Sequence, residues 1–442
     1  MPKHRSAGQR CRVIIAVVRR ALGCHNARHR MIKNIQVIGY RCLSYIDVQI
    51  PQLALLVGPN ASGKSTFLDV IYFLRDLLDW GAEDAIAERG QDFEDLTWMR
   101  EGQPLQIAMD LELPEGLSTA AQPWCRYALT IGRDGEGRPG VLEESLWLRP
   151  ARDEDAARSP RTLFPVDQLA PTNLMGKPYG SKWKVVVRKV PESGNDYFRS
   201  ETSGWNTQFR IGPKRASLSN IPDDESKFPA ALWLRDFLSE GVQKLELDSF
   251  AMKEPVSPRS PRRFEPDGSN LPVVVANLRK RNPERLREWE KHVRTILPDV
   301  AEITTARREV DRYEYLVLKY RSGLTAPAWL ISDGTLRLLA LTLLAYTENA
   351  DRLYLIEEPE NGLHPMAVEP VYQSLASVYD GQVLVASHNV LFVGLARPED
   401  VLVFARTARG ATDIVRGSDH PALLEWQGEV DLGTLLASGV LD

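Results

Sequence analysis

From Met31 the chain mixes apolar and polar positions over 32–38 and again over 45–50, and reads as two strands joined by a turn at Gly39-Tyr40-Arg41. After Pro51 comes a wholly apolar run, 53–57, then a Gly-rich turn, then helical spacing from Lys64 to about Leu78. Strand, loop and helix in that order predict the opening of an α/β layer. Short alternating segments at 106–131, 141–148, 183–190 and 197–211, punctuated by Pro and Gly, predict an antiparallel elaboration in the middle of the chain. Helical spacing returns at 228–241, with Trp233, Phe237 and Leu238 on one face, and at 283–297, with Leu286, Trp289, Val293 and Ile296 on one face. Residues 253–270, rich in Pro, Ser and Arg, read as an exposed loop. Further on, Leu336, Leu339 and Leu343 mark an amphipathic helix, and 353–356 and 383–386 are apolar strands. There is no internal repeat, and no apolar heptad persists for three or four turns, which excludes a long coiled coil.

Composition narrows the class. The 442 residues are 43% hydrophobic and 26% charged, close to soluble globular averages, so a sizeable core is expected. No apolar run approaches the ~18 residues of a membrane-spanning helix, and none is expected. The formal charge of −4, from 55 basic and 59 acidic residues, argues against a polybasic nucleic-acid binder. It conceals an asymmetry: residues 1–30 hold eight of the basic side chains and no acid, leaving 47 basic against 59 acidic residues, net −12, over 31–442. The six-residue apolar stretch 13–18 is short for a signal peptide. Residues 1–30 therefore read as a basic leader, with Met31 as the natural start. Cysteines at 11, 24, 42 and 125 form neither a CxxC pair nor a zinc spacing, as expected of a reducing, cytoplasmic location.

Four short segments carry chemistry. Gly58-Pro59-Asn60-Ala61-Ser62-Gly63-Lys64-Ser65 fits G-x-x-x-x-G-K-[ST] and stands between an apolar strand and a helix. Its glycines let backbone N–H groups wrap phosphates at a helix N-terminus, Lys64 would reach the β and γ phosphates, and the Ser65 hydroxyl would coordinate Mg²⁺. The strand 353–356 ends in Glu357-Glu358-Pro359-Glu360, where Glu357 suits a metal relay and Glu358 a general base; the plainer alternative is a solvated acidic loop. Ser332-Asp333-Gly334-Thr335 opens a helix 26 residues before Glu358 and by itself is an N-cap. Ser387-His388 ends the run 383–386, with the imidazole 30 residues beyond Glu358.

In this order, the segments resemble the ABC-type ATPase head shared by RecF, SMC and OLD-like proteins, and most of all the small OLD/RecF-like "AAA family" ATPases of bacteria that lack a TOPRIM domain. The resemblance rests also on the opening turn 35–43 and on the run Ile356 to Pro365. It implies an α/β P-loop NTPase fold with a mixed central sheet, an antiparallel β elaboration and a helical insert lobe. Residues 31–115 and 325–442 would form the core, and 116–324 the insert. Carried over, Gly58 to Thr66 is the Walker A loop, Glu357 the Walker B metal residue, Glu358 the catalytic base, Asn361–His364 the D-loop and His388 the switch histidine. Ser332 and Gly334 correspond to the Ser and second Gly of the signature. Asp333, Thr335 and Glu357 depart from the transporter-style pattern, as OLD-like relatives do. Gln91, Gln103 and Gln106 all stand at plausible Q-loop distances.

The resemblance further implies ATP and Mg²⁺ as cofactors and a homodimer closed around two ATP molecules. Its cellular setting would be DNA repair or anti-phage defence with a separate effector, a nuclease or toxin, since only 54 residues follow His388. DNA is a further partner it allows; ten basic residues against six acids from Lys253 to Lys291 fit a phosphate-contacting patch and, equally, a solvated face. Two alternatives are a transporter nucleotide-binding subunit and a non-hydrolysing scaffold. The 268 residues from Lys64 to Ser332 speak against the first, and Glu358 with His388 against the second.

Overall fold

The structure, a computed structural model, describes residues 31–119, 121–151, 160–176, 182–190, 196–348, 350–424, 426, 428 and 430–441; the expected leader lies outside them. The described chain divides into two compact units, one of 31–242, 351–353 and 396–441, the other of 243–350 and 354–395.

The first unit opens with a hairpin of β1 (Ile32–Tyr40) and β2 (Leu43–Gln49), followed by β3 (Leu53–Val57), α1 (Lys64–Asp79) and α2 (Ala82–Ala87). An antiparallel meander continues the hairpin: β4 (Leu105–Glu112), β5 (Trp124–Arg133), β6 (Pro139–Arg149), β7 (Lys184–Lys189), β8 (Tyr197–Arg199) and β9 (Asn206–Gln208). Together they make an eight-stranded sheet in the order β2-β1-β4-β5-β6-β7-β8-β9, antiparallel throughout. Along β1, Ile32, Ile35, Val37 and Tyr40 are buried, while Lys33, Gln36 and Ile38 are half-buried. The helix at 228–241 is broken: α3 (Pro229–Asp236) passes into a wider π turn at Phe237–Gly241, and Trp233 stacks on Phe237 at 5.5 Å.

In the second unit, β10 (Val242–Leu245) is followed by α4 (Ser249–Lys253), α5 (Leu271–Arg281) and α6 (Pro283–Ile296). A three-stranded antiparallel sheet of β11 (Val300–Arg307), β12 (Glu314–Tyr320) and β13 (Thr325–Pro327) comes next. The unit closes with α7 (Asp333–Leu343), β14 (Leu353–Glu357), α8 (Pro365–Leu375), β15 (Gln382–Ala386) and α9 (Val390–Gly394), with β14 between β10 and β15. The predicted face of α6 is real: Leu286, Trp289 and Val293 are buried, and Trp289 Nε1 donates to Thr342 Oγ1 of α7 at 3.0 Å. The segment 253–270 is irregular, as expected, but less exposed than its composition suggests. Phe264 is buried, and the fully buried Asn270 donates through Nδ2 to the carbonyls of Pro261 and Arg263 and accepts from Glu265 N–H at 3.0 Å. A polar side chain inside can replace the missing regular hydrogen bonds of such a loop.

Residues from 396 belong to the first unit again. β16 (Val401–Arg406) pairs parallel with β3 and antiparallel with β17 (Thr412–Arg416), a mixed arrangement. All five residues of β3 are buried, which is why that run shows no alternation. Among the described residues no helix is long and apolar enough to cross a membrane.

Candidate functional site

The loop between β3 and α1 is built on two close backbone approaches. Gly58 has φ +141°, and a Cβ there would lie 2.1 Å from the Phe404 carbonyl oxygen of β16. Gly63 has φ +103°, and a Cβ there would meet Thr412 Oγ1 at 2.3 Å and Cys42 Sγ at 3.1 Å. Only glycine satisfies both the backbone angle and the space. Lys64 turns back over the loop, Nζ donating to the carbonyls of Gly58 and Pro59, each at 2.7 Å. Gly63 is the N-cap of α1 with no side-chain cap, and the first turn holds no acid, so the positive end of this 16-residue helix is not offset by its own side chains. Ser65, Pro59, Asn60 and Ala61 are exposed, Lys64 and Thr66 half-buried. Ser62 is buried, and its hydroxyl oxygen has no hydrogen-bond partner among the described residues. A glycine-containing turn at a helix N-terminus, with a lysine and a hydroxyl at the helix start, has the donor set for a nucleotide's phosphates.

The acidic segment is organised within the second unit. β14 ends at Glu357, and Glu358 N–H donates to the Ala386 carbonyl at the end of β15 at 2.8 Å. Glu358 itself is left-handed, with φ +48°, an uncommon and costly conformation for a residue with a side chain. That bend presents its carboxylate to His388: Oε1 lies 3.0 Å from Nδ1, while Oε2 accepts from the Asn361 side-chain amide. Sequence separations of 30 and 3 residues thus become one cluster. Both side chains remain about half exposed, 42% for Glu358 and 57% for His388, open to a ligand. Glu357 is exposed beside them, a carboxylate of the kind that suits Mg²⁺.

Glu360, the last acid of the run, has a different job. It is buried and accepts from the Ser387 hydroxyl at 2.5 Å, tying the two strand ends together, and burial holds its carboxyl above the usual range despite that bond.

Ser332 caps α7, its Oγ accepting from Thr335 N–H at 3.3 Å, so the N-cap reading is realised, and the residue is exposed. Gly334 is pressed against the turn 361–363: a Cβ there would lie 2.5 Å from the Gly362 carbonyl oxygen. Of the three glutamines, Gln106 is occupied, its Oε1 accepting from Leu174 N–H at 2.7 Å. Gln91 and Gln103 are both exposed, and the geometry singles out neither.

Sequence reasoning missed Thr412, Cys42 and Phe404, which crowd or hold the backbone of the loop 58–66 from 21 to 350 residues away. Thr412 and Phe404 belong to no motif, and Cys42, though within the opening turn 35–43, has no spacing that marks the contact.

The fold is that of an SMC head. The crystal structure of the SmcHead bound to the C-winged helix domain of ScpA matches with a TM-score of 0.50 and 14% identity, over 87% of this chain and 97% of that one. The SMC head domain from Thermotoga maritima has a TM-score of 0.41 and 11% identity over 88% and 99% of the two chains. The Smc head domain with an extended coiled coil bound to the C-terminal domain of ScpA, from Pyrococcus furiosus, has 0.45 and 12% over 87% and 96%. No curated protein matches in sequence. Residues 53–394, which take in every segment singled out from Gly58 to His388, match the family described as "AAA domain, putative AbiEii toxin, Type IV TA system"; the chain belongs to that family and is an ATPase-type nucleotide-binding head of ABC/SMC-like fold.

Proposed function

We propose that this head binds and hydrolyses ATP with Mg²⁺ and acts as a dimerising switch. The loop 58–66 carries the proposal: two glycines with no room for a side chain, Gly58 against the Phe404 backbone and Gly63 against the Thr412 and Cys42 side chains, with Lys64 and Ser65 opening an uncapped helix, in a chain of the AAA family. Loop N–H groups and Lys64 hold the β and γ phosphates. Ser65 and Glu357 would supply oxygen ligands to Mg²⁺, which would neutralise phosphate charge. Glu358, turned outward by its left-handed backbone, orients and deprotonates the attacking water. His388 supports it and donates toward the transferred phosphoryl group.

Ser332 and Gly334, at the exposed start of α7, would act on the nucleotide of a second copy, so that ATP closes a homodimer and hydrolysis opens it. The pathway served is DNA repair or anti-phage defence, with a separate nuclease or toxin as effector and DNA as a further partner. The basic stretch offers less for DNA than its count suggests, because Arg279 is committed to Thr304 Oγ1 and the Ile303 carbonyl.

Phosphate release and light scattering test the reading together. Wild type should hydrolyse ATP in Mg²⁺, Lys64→Ala should lose nucleotide binding, and Glu358→Gln should bind ATP, stop turnover and accumulate as a dimer. Full turnover in Glu358→Gln, or unchanged nucleotide binding in Lys64→Ala, sinks it. ATP-dependent DNA binding that weakens steeply with salt would support the DNA partner.

A further inference from the structure

We infer that Thr412, on β17, is a positioning residue for the phosphate loop. The inference rests on the reading of 58–66 as an ATP site. Thr412 is 2% exposed and held on two sides: its N–H donates to the Cys42 carbonyl in the β1–β2 turn at 2.9 Å, and it pairs with Arg406 across the β16–β17 ladder. From that fixed base its hydroxyl donates to the Ser62 carbonyl at 2.9 Å.

The chemistry of the bond lies in the planar, trans peptide. In one peptide unit the C=O and the following N–H point to opposite sides. Fastening the Ser62 carbonyl toward β17 therefore turns the Gly63 N–H away from β17, toward the side on which the loop's donors can face a phosphate. Without the hydroxyl the 62–63 peptide is free to rotate, because Gly63 has no side chain to restrict it. Thr412 also accounts for Gly63: its Oγ1 and Cγ2 lie 2.3 and 3.1 Å from where a Cβ at 63 would sit. The residue after it, Asp413, has its own duty in the same unit. It accepts from Arg161 Nη1 at 2.7 Å and Val166 N–H at 2.9 Å, pinning the segment 161–168 rather than the loop. Adjacent positions on one strand thus separate a positioning role from a purely structural one.

The test is direct binding of a fluorescent ATP analogue and steady-state hydrolysis by the full chain. Thr412→Val, which keeps the shape and removes the donor, should raise Kd and KM for ATP about 3- to 10-fold, the effect of one lost hydrogen bond, with kcat changed less than twofold. Thr412→Ser should restore both to within twofold of wild type. Asp413→Asn should lower the melting temperature while leaving KM within twofold. Wild-type affinity in Thr412→Val, with Lys64→Ala still losing binding, overturns the role of Thr412 alone; unchanged binding in Lys64→Ala overturns the site itself. Equal loss of affinity in Thr412→Ser and Thr412→Val overturns the role too, since a hydroxyl kept at 412 would then not preserve binding. Should Thr412→Val fail to fold, Thr412→Cys, a weak donor of similar size, takes its place under the same criteria.

Discussion

Glu358→Gly separates function from stability at one residue. Glu358 has φ +48°, and a left-handed conformation costs a residue with a Cβ about 1–2 kcal/mol, which glycine escapes. Against that gain stand the losses. The ion pair with His388, between side chains 42% and 57% exposed, is worth about 0–1 kcal/mol. The Asn361 hydrogen bond adds about 0.5–1 kcal/mol, and the freer unfolded chain of a glycine costs about 0.5–1 kcal/mol. Gains and losses cancel within about 1 kcal/mol, so the melting temperature should move by less than about 3 °C in a chain of this size. Hydrolysis should fall by about 10²- to 10⁴-fold, the usual contribution of a general base. Thermal melting without nucleotide and phosphate release measure the two effects. Glu358→Gln, which keeps the strained backbone and an amide to meet Asn361, should lose as much turnover. A melting point lowered by more than about 5 °C in Glu358→Gly would show that the acid is a structural keystone. Turnover within tenfold of wild type would show that it is not the base.

Gly58→Ala forces a Cβ to 2.1 Å from the Phe404 carbonyl oxygen, backbone against backbone, so it should abolish nucleotide binding and lower stability by roughly 2 kcal/mol or more, read by analogue titration and melting. Asn270→Ala leaves the Pro261 and Arg263 carbonyls and the Glu265 N–H without their partner, a loss of about 2–3 kcal/mol, and should open 254–269 to limited proteolysis while ATP affinity is unchanged. His292 is buried in α6, and desolvation lowers its imidazole to about 4 from an ordinary 6.5. The unfolded chain therefore binds the extra proton first, and stability should fall as pH drops from about 6.5 toward 4, by roughly 3 kcal/mol in all; His292→Gln, which leaves a polar group near the Tyr346 hydroxyl, should flatten that dependence in denaturant titrations.

Much of the molecule was legible before its structure. The run 53–57 read as a buried strand and is one, and the G-x-x-x-x-G-K-S pattern after it is complete within its own eight residues. The strand character of β1, the face of α6 and the strand endings at Glu357 and Ala386 were equally local, because such signals are written in neighbouring positions. Composition misled where a single residue overrode it. Residues 253–270 looked free because they are polar and proline-rich, yet one buried asparagine organises them.

What the sequence determined by itself is the set of parts: a glycine-rich loop between strand and helix, a strand-end pair of acids, a capped helix and a histidine after a strand. Tertiary structure decided how those parts are held. Glu358 is left-handed because its N–H is bound at the end of β15 while its carboxylate meets His388, and Gly58 and Gly63 must be glycine because Phe404 and Thr412 occupy the space a side chain would need. Such requirements come from strand register and close approach between segments up to 350 residues apart, and no periodicity along the chain encodes them.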